Sequence, residues 1–498
     1  MDRPDDLYDR EREWRDLVQF VRAKQPRLRL GVLYGRRRFG KSFLLRRLVR
    51  QAGGLYHLAL EQERHPALRH FAAKVATLHT APPPLSFPDW DTGLRYLLQE
   101  LGGRRGHHVV ALDEYPYLRA TSAELDSVLQ AILDDAADGS WGSGWRGSVS
   151  VILCGSAISV MTDILSGTSP LRGRAVLDLP LAPFDYRQAR DYWGIGDLET
   201  AFLVDSVMGG APGYKDLTSA HGVPASPAEL AGWLGESVLN PSHALYREDA
   251  YLLREDPRVT RHSLYYSLLN AVAGGATTPT SIAARIGKKA TDLDHPLGVL
   301  LSAGFLRRGD DFLAQRRPTY LIADPVVRFH ELITRGREAM AEERQVAELW
   351  RSAAPTFRAQ IVGPHFEEMA RVWTATYASE KTLGGPVGPP RTLQIRDRTA
   401  GHDFELDVVA ATRASAPGRR KVIQVIGEAK GTAEARTVAD LDRLDGVRRH
   451  LEGRGVRFSP TARLLVFALA GFTDGLAALA RSRPDVELVD LARLYQGS

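Results

Sequence analysis

A short apolar run, Leu30-Gly-Val-Leu-Tyr34, breaks into Gly35-Arg-Arg-Arg-Phe-Gly40-Lys41-Ser42. Phe43-Leu-Leu-Arg-Arg-Leu-Val49 then carries apolar residues at helical spacing. Strand, G-x-x-x-x-G-K-S and helix in that order form a P-loop in the context it requires. The glycines let backbone N–H groups curl around a phosphate chain, helped by the positive end of the following helix. This reading assigns Gly35, Arg36, Arg37, Arg38, Phe39 and Gly40 to the phosphate wrap and Phe43 to the start of the helix. It assigns Lys41 to the β/γ-phosphates and Ser42 to Mg²⁺. The stretch predicts a bound nucleoside triphosphate.

A P-loop needs acids on a neighbouring strand. His107-His-Val-Val-Ala-Leu-Asp113-Glu114 is an apolar run ending in two of them. Asp113 is expected to hold the water shell of Mg²⁺, and Glu114 to polarise the attacking water. A further buried strand, Ser148-Val-Ser-Val-Ile-Leu-Cys154, ends in Gly155-Ser156. Ser156 then lies at the sheet edge where ligands gather, as a sensor of the γ-phosphate or as an ordinary turn serine. Ser169-Pro-Leu-Arg172-Gly-Arg174 offers two arginines for transition-state charge, in cis or from a neighbouring subunit. A charged surface loop is the competing reading.

These stretches, with Leu112-Asp-Glu-Tyr-Pro-Tyr-Leu118 and Gly209-Gly-Ala-Pro-Gly-Tyr214, fall in a recognisable order. Over about the first 340 residues the chain resembles the archaeal-type (DEXX-box) P-loop ATPases, STAND-like signalling ATPases related to the AAA+ group. The resemblance implies ATP as the nucleotide and an α/β multidomain protein: a RecA-like P-loop core, a helical lid and a winged helix. It also places Gly210 to Pro212 in a lid turn near the adenine, where the fixed φ of Pro212 suits a rigid turn. The start of the first helix, Asp9-Arg10-Glu11, reads as lying near the adenine or as a solvated helix end. The expected units are residues 1–184 (core), 185–258 (lid), 259–335 (winged helix) and 336–498 (C-terminal domain). A winged helix with Lys288 and Lys289 nearby reads as a DNA contact or as a module packed against the core. Phe329 to Trp350 reads as a charged connector helix.

Beyond the connector the character changes. Gly363 to Trp373 is helical, and a Gly/Pro loop follows. Phe404-Glu-Leu-Asp407-Val-Val-Ala-Ala411 and Lys421-Val-Ile-Gln-Val-Ile-Gly-Glu428-Ala-Lys430 then read as two strands around a polar loop. A period of two puts Glu405, Asp407 and Val409 on one face, and Glu428 with Lys430. Two carboxylates and a lysine at paired strand ends suit Mg²⁺ and a water aimed at a phosphodiester. The arrangement is similar to the PD-(D/E)XK nuclease superfamily. That resemblance makes Glu367 the helix acid, Asp407 the metal acid and Glu428-Ala429-Lys430 the E-x-K element, with Mg²⁺ or Mn²⁺ bound. Glu-Leu-Asp stands where the superfamily has Pro-Asp. An exposed salt-bridging hairpin, or a nuclease fold without activity, is the alternative.

Composition bounds the partners. A net charge of +5 permits nucleic acid without requiring it, and with nine lysines among 65 basic residues, arginine runs are partly compositional. The single cysteine, Cys154, excludes an intramolecular disulfide and reads as a buried core residue. The charged start of the chain and the lack of long apolar runs give a cytoplasmic expectation with no membrane partner. The combined expectation is an ATP-driven switch coupled to a Mg²⁺-dependent DNA nuclease-like domain, in the setting of defence against foreign DNA. DNA, a protein trigger and a second copy of the chain are its expected partners. The rivals are an ATP-gated scaffold for DNA or protein, with an inactive nuclease fold, and a chaperone-like ATPase.

Overall fold

The computed structural model describes residues 1–498 except 26, 81–83, 141–143, 219, 221, 310, 314–317, 398–401 and 414–420, and except the side chains of 396, 397, 402 and 403. Residues 414–420, the greater part of the polar loop expected between the two C-terminal strands, lie outside the described residues.

The apolar run before the P-loop is a strand, β1 (Leu28–Tyr34), buried on both sides. It joins β2 (Gly54–Leu58), β3 (Gly106–Asp113), β4 (Gly147–Gly155) and β5 (Ala175–Pro180) in an all-parallel sheet of order β2-β3-β4-β1-β5. Helices cover both faces, which is why β1, β3 and β4 read as continuous apolar runs, whereas β2 and β5 alternate in burial. The helix Glu11–Arg22 buries Trp14, Leu17, Phe20 and Val21, while Val18 is half-buried. Cys154 is fully buried in β4, as expected.

Helices Tyr186–Trp193, Leu198–Met208, Pro212–Thr218 and Leu230–Glu236 follow where a lid is expected. Then come Glu248–Glu255 and three helices, His262–Ala273, Pro279–Ile286 and Asp294–Ser302, ahead of an antiparallel hairpin of β6 (Leu306–Gly309) and β7 (Thr319–Ile322). Thr278 caps the middle helix in a box with Ser281, with Pro279 at the first position, so its start is set locally.

The expected connector is not one helix. Pro325–Phe329, a π-helical turn His330–Thr334, Glu338–Glu342 and Val346–Phe357 replace it. Gly336 at φ +81° and Arg344 at φ +59° force the breaks. Phe329, Ile333, Ala341 and Leu349 are buried, so the segment is core rather than a solvated strut.

The C-terminal sheet has the order β12-β11-β10-β9-β8, from β8 (Arg391–Asp397), β9 (His402–Ala411), β10 (Val422–Lys430), β11 (Arg457–Ala468) and β12 (Val486–Asp490). β8, β9 and β10 are antiparallel neighbours, whereas β10, β11 and β12 run parallel. Helix Gly363–Thr376 packs on one face through Phe366, Met369, Ala370 and Trp373. Helix Val438–Gly453 packs on the other through Leu441, Leu444, Val447 and Leu451. Both faces are thus covered, which excludes an exposed hairpin. β9 carries a bulge: Arg391 pairs with Val409 and Leu393 with Leu406, so the strands fall out of step. The expected face of Glu405, Asp407 and Val409 therefore fails at Val409, which joins Leu406 in the far core, while Val408 and Ala410 face the near one.

One apolar cluster runs from Phe184, Phe202 and Trp233 through Phe329 and Phe357 to Trp373, Phe467 and Leu494. Tyr186 OH and Arg187 Nε both donate to Leu494 O, at 2.7 and 2.8 Å. The C-terminal sheet is docked on the 186–236 helices, not hung from a linker. No helix among the described residues is long and apolar enough to cross a membrane.

Candidate functional sites at the P-loop and in the C-terminal cleft

The chain turns out of β1 at Gly35, whose φ is +156°. A Cβ there would meet Leu181 O at 2.4 Å, so only glycine fits. Gly40, at φ +89°, precedes the helix Lys41–Ala52 and aims its free N–H groups into the loop. Lys41 Nζ donates to Gly35 O at 2.6 Å and Arg36 O at 2.9 Å, folded into the loop it would use to hold phosphate. Ser42 Oγ donates to Asp113 Oδ2 at 2.6 Å, across from the end of β3. A hydroxyl and a carboxylate in contact beside a P-loop are the donors Mg²⁺ needs there. Tyr56 OH, on β2, donates to the same Oδ2 at 2.5 Å, and burial followed by Asp113 pushes its phenol up to about 12.

Glu114 follows in a left-handed conformation, φ +52°, a strain that a side chain other than glycine rarely carries. Its carboxylate accepts from Ser156 Oγ at 3.2 Å. Burial raises its pKa, against the pull of Lys41. Lys41, Ser42, Asp113, Glu114 and Ser156 are therefore brought to one edge of the sheet.

The turn containing Gly210 and Pro212 also reaches the loop. Gly213 N donates to Arg38 O at 3.0 Å, Phe184 N donates to Gly210 O at 2.8 Å, and a Cβ on Gly40 would sit 3.9 Å from Pro212. A cavity of about 400 Å³ opens beside it, lined by Arg36, Phe39, Phe184 and Gly209 to Ala211 among others. Asp9 and Arg10 are not a solvated helix end. Arg10 lies over the Phe184 ring at 4.5 Å and donates to Ala182 O at 2.7 Å, and Gln188 donates to Asp9.

The arginine side chains of the loop reach across to later parts of the chain. Arg36 pairs with Asp324 at 3.0 Å and stacks on Phe305. Arg37 pairs with Glu255 at 2.7 Å. Arg38 pairs with the fully buried Glu248 through two bonds, of 2.7 and 2.8 Å. Arg172 and Arg174 go elsewhere. Arg172 donates to Gly167 O at 3.0 Å, and Arg174 grips Asp134 at 2.9 and 2.8 Å on an exposed surface. Both guanidiniums are thus engaged away from the P-loop of their own chain, as the surface-loop reading has them.

In the C-terminal sheet, Asp407 Oδ2 accepts from Ala429 N at 2.8 Å, tying β9 to β10 at the bulge. Glu428 is held by Lys430 at 2.9 Å and by Arg443 at 3.0 Å. Gly431, next along, packs against Gly363 and Phe366, and a Cβ would approach both within 3.1 Å. This close approach sets the helix bearing Glu367 against the strand end. Burial and then Asp407 push the Glu367 carboxyl up to about 7, and burial likewise raises Asp407. Among the described residues no three His, Cys, Asp or Glu side chains converge as a metal cage, and Glu428 is neutralised by its two cations. A cleft of about 460 Å³ is lined by Glu367 but by neither Asp407 nor Glu428. Glu367, Glu405, Gln394 and Arg371 form one wall, and residues 272–278 with Arg307, Thr319 and Leu321 form the other.

Residues 7–196 match the family model described as an ATPase domain predominantly from Archaea. The chain carries an archaeal-type ATPase domain. An uncharacterized protein of Methanocaldococcus jannaschii is 24% identical over 310 residues, which are 60% of this chain; the chain spans 62% of that relative's length. Among solved structures, a Walker-type ATPase of Pyrococcus abyssi is similar at a TM-score of 0.50 with 22% identity, covering 66% of this chain and 97% of that one. The Aeropyrum pernix ORC1 protein in complex with DNA is more remote, at a TM-score of 0.34 with 18% identity, covering 70% of this chain and 95% of that one. The ATPase domain holds Gly35 to Phe43, Asp113, Glu114, Ser156, Arg172 and Arg174, whereas the C-terminal sheet lies outside the matched residues.

Sequence reasoning missed Tyr56, Arg443 and the three acids that hold the P-loop arginines. Tyr56 had a local signal, since β2 pairs beside β3 with Tyr56 opposite Ala111. The acids had none.

Proposed function

We propose that this chain is an ATP-hydrolysing switch whose ATPase domain governs a Mg²⁺-dependent nuclease-like domain, formed by the C-terminal sheet, that acts on DNA. The observation that carries the coupling is the cleft. Its acidic wall, with Glu367 and Glu405, faces residues 272–278 and the β6–β7 hairpin, which read as a winged helix. A swing of that unit changes access to the acids. The P-loop holds the same unit through Arg36 and Asp324.

In this reading the backbone from Gly35 to Gly40 wraps the phosphates, and the Lys41 ammonium exchanges its two carbonyl partners for the β/γ-oxygens. Ser42 and Asp113 would hold Mg²⁺, which supplies charge neutralisation at the phosphates. Glu114 takes the proton of the attacking water, and its raised pKa suits a base. Ser156, already bonded to Glu114, reports on the γ-phosphate. Pro212 and its neighbours form the lid turn beside the adenine, and Arg172 and Arg174 serve a neighbouring copy in trans. At the second site Glu367, Asp407 and Glu428 are the side chains that would hold Mg²⁺ or Mn²⁺; they do not converge as a cage in this structure, so Glu428 would first have to leave Lys430 and Arg443. Burial and neighbouring carboxylates (Asp407 and Glu405 on Glu367, Glu428 and Glu405 on Asp407) already raise the pKa values of Glu367 and Asp407, a strain that a cation would relieve. Lys430 neutralises charge on the phosphodiester. The setting is cytoplasmic defence against foreign DNA, with a protein trigger or self-association as the signal.

The second reading, an ATP-gated DNA- or protein-binding scaffold without cleavage, is favoured by the ion pairs that occupy Glu428. Plasmid incubated with Mg²⁺ or Mn²⁺, with ATP, ADP or no nucleotide, separates the two. Cleavage by wild type that changes with nucleotide, and is locked in one state in Glu114→Gln, supports the switch. Equal cleavage in every condition removes the coupling. No cleavage, with ATP turnover that responds to DNA, leaves the scaffold.

A further inference from the structure

We infer that Arg328 is the anion-binding residue of a phosphodiester subsite, where the cleft grips the backbone of DNA. The inference rests on the reading above that the C-terminal domain acts on DNA.

The cleft and the cavity beside the P-loop meet at Arg307 and Arg328, which line both. A third guanidinium, Arg371, enters the cleft from the helix that carries Glu367. Two of the three are satisfied. Arg307 and Arg371 share Glu368, at 2.9 and 2.8 Å, and Arg371 also donates to Asp407 O at 3.0 Å. Against the cost of burial, these two arginines hold Glu368 down at about 2, so it stays charged and spoken for. Arg328 is different. Among the described residues its side chain makes no hydrogen bond or ion pair, and its Nε is buried without an acceptor. Burial, with Arg307 alongside, pushes its pKa down to about 10, so it remains a cation at neutral pH.

A largely buried guanidinium without a partner weakens a fold unless something else completes it. The element that carries Arg328 is firmly fixed. Helix Pro325–Phe329 has Val326, Val327 and Phe329 fully buried, and Asp324 caps it by accepting from Val327 N at 3.0 Å. The arginine is therefore presented to the cleft by a rigid mount. Thr277, Thr278 and Gln394 line the cleft as neutral polar groups, and the carboxylates of Glu368, Asp324 and Asp205 act on the Arg328 guanidinium through space without bonding it. A phosphodiester brings one negative charge spread over two oxygens, which matches the planar fork of an arginine better than a point charge would.

The test is binding of a short fluorescein-labelled DNA duplex, followed by anisotropy in EDTA and without nucleotide, so that neither cleavage nor ATP intervenes. Arg328→Gln is expected to weaken binding about tenfold and to lower the salt dependence by about one phosphate contact. Arg328→Lys retains most of the affinity. Arg328→Gln melts no lower than wild type, because the charge it removes had no partner; a structural arginine would move the melting temperature instead. Equal binding by wild type and Arg328→Gln overturns the subsite and leaves the DNA reading standing. Failure of the wild type to bind DNA at all overturns both. Lost ATP affinity with DNA affinity intact, or displacement of the duplex by inorganic phosphate at equal phosphate concentration, assigns Arg328 to another anion and overturns the proposal.

Discussion

Arg36 in the P-loop and Asp324 at the end of the β6–β7 hairpin form a buried ion pair of 3.0 Å, so the nucleotide loop is bonded to a unit that lies far along the chain. Removing one partner strands the other without compensation. Asp324→Ala also uncaps the helix Pro325–Phe329. Its expected cost is about 3–5 kcal/mol. Arg36→Met combined with Asp324→Ala should cost less than the sum of the two single changes. Denaturation midpoints of the four proteins check this, and strict additivity would mean the pair is incidental.

Lys41→Ala is expected to abolish ATP binding, since no other ammonium enters the loop among the described residues. Glu114→Gln should leave ATP bound while turnover falls by about 10²–10⁴-fold. Tyr56→Phe removes one donor from Asp113 and should lower turnover less than Glu114→Gln does. Equilibrium binding of a labelled ATP analogue and steady-state phosphate release separate the three. Full ATP affinity in Lys41→Ala would displace the phosphates from the loop.

Asp407 has two jobs that substitutions can part. Asp407→Ala leaves Ala429 N buried without an acceptor and should destabilise by about 1–3 kcal/mol. Asp407→Asn keeps an oxygen for that N–H and should melt near wild type. Both should abolish plasmid cleavage, as should Glu428→Ala, whereas Glu405→Ala, at an exposed position, should not. Cleavage surviving in Asp407→Asn would remove it from the metal site.

Glu331 provides a pH test away from either site. Burial, against the pull of Arg335, raises its carboxyl to about 7. A raised folded-state value means the neutral acid is favoured by folding. That stability is present in full below the unfolded value near 4.5 and is lost as pH rises through about 7. Glu331→Gln should therefore gain on wild type between pH 5 and pH 8, by up to about 3 kcal/mol. Thermal melts at both pH values measure the difference, and a gap that does not widen would mean the carboxyl titrates normally.

Arg174→Ala releases its contacts to Asp134 and to Pro170 O, both away from the P-loop, so ATP affinity should be nearly unchanged. If the arginine serves a neighbouring copy, specific ATPase activity rises with protein concentration in wild type and stays flat in the variant. Parallel curves would return Arg172 and Arg174 to the surface loop.

The legible parts were the ones whose chemistry is local. Gly35, Gly40, Lys41 and Ser42 lie within one eight-residue stretch, and Asp113 ends its own strand, so short-range pattern suffices. The same holds for Glu428 and Lys430, two residues apart on β10. The arginines of the P-loop show the limit, because Glu248, Glu255 and Asp324 meet them only through tertiary packing. The bulge in β9 was hidden for a related reason: a break in register belongs to two strands at once, and a one-strand period cannot report it. Helix Val438–Gly453 and β8 were readable from Leu441, Leu444 and Leu451, and from Leu393 and Ile395, but no motif drew attention to them.

The continuous apolar cluster from Phe184 to Leu494 carries a consequence for how such a protein can change over time. A module joined by a linker can be exchanged by recombination at the linker. Here the seam is made of Tyr186, Phe202, Trp373 and Tyr495, packed as an interior. A lineage that replaced the C-terminal sheet would expose that seam, so an exchange has to bring a matching set of 186–236 helices with it. The natural unit of inheritance begins inside what looks, from the motifs alone, like the regulator.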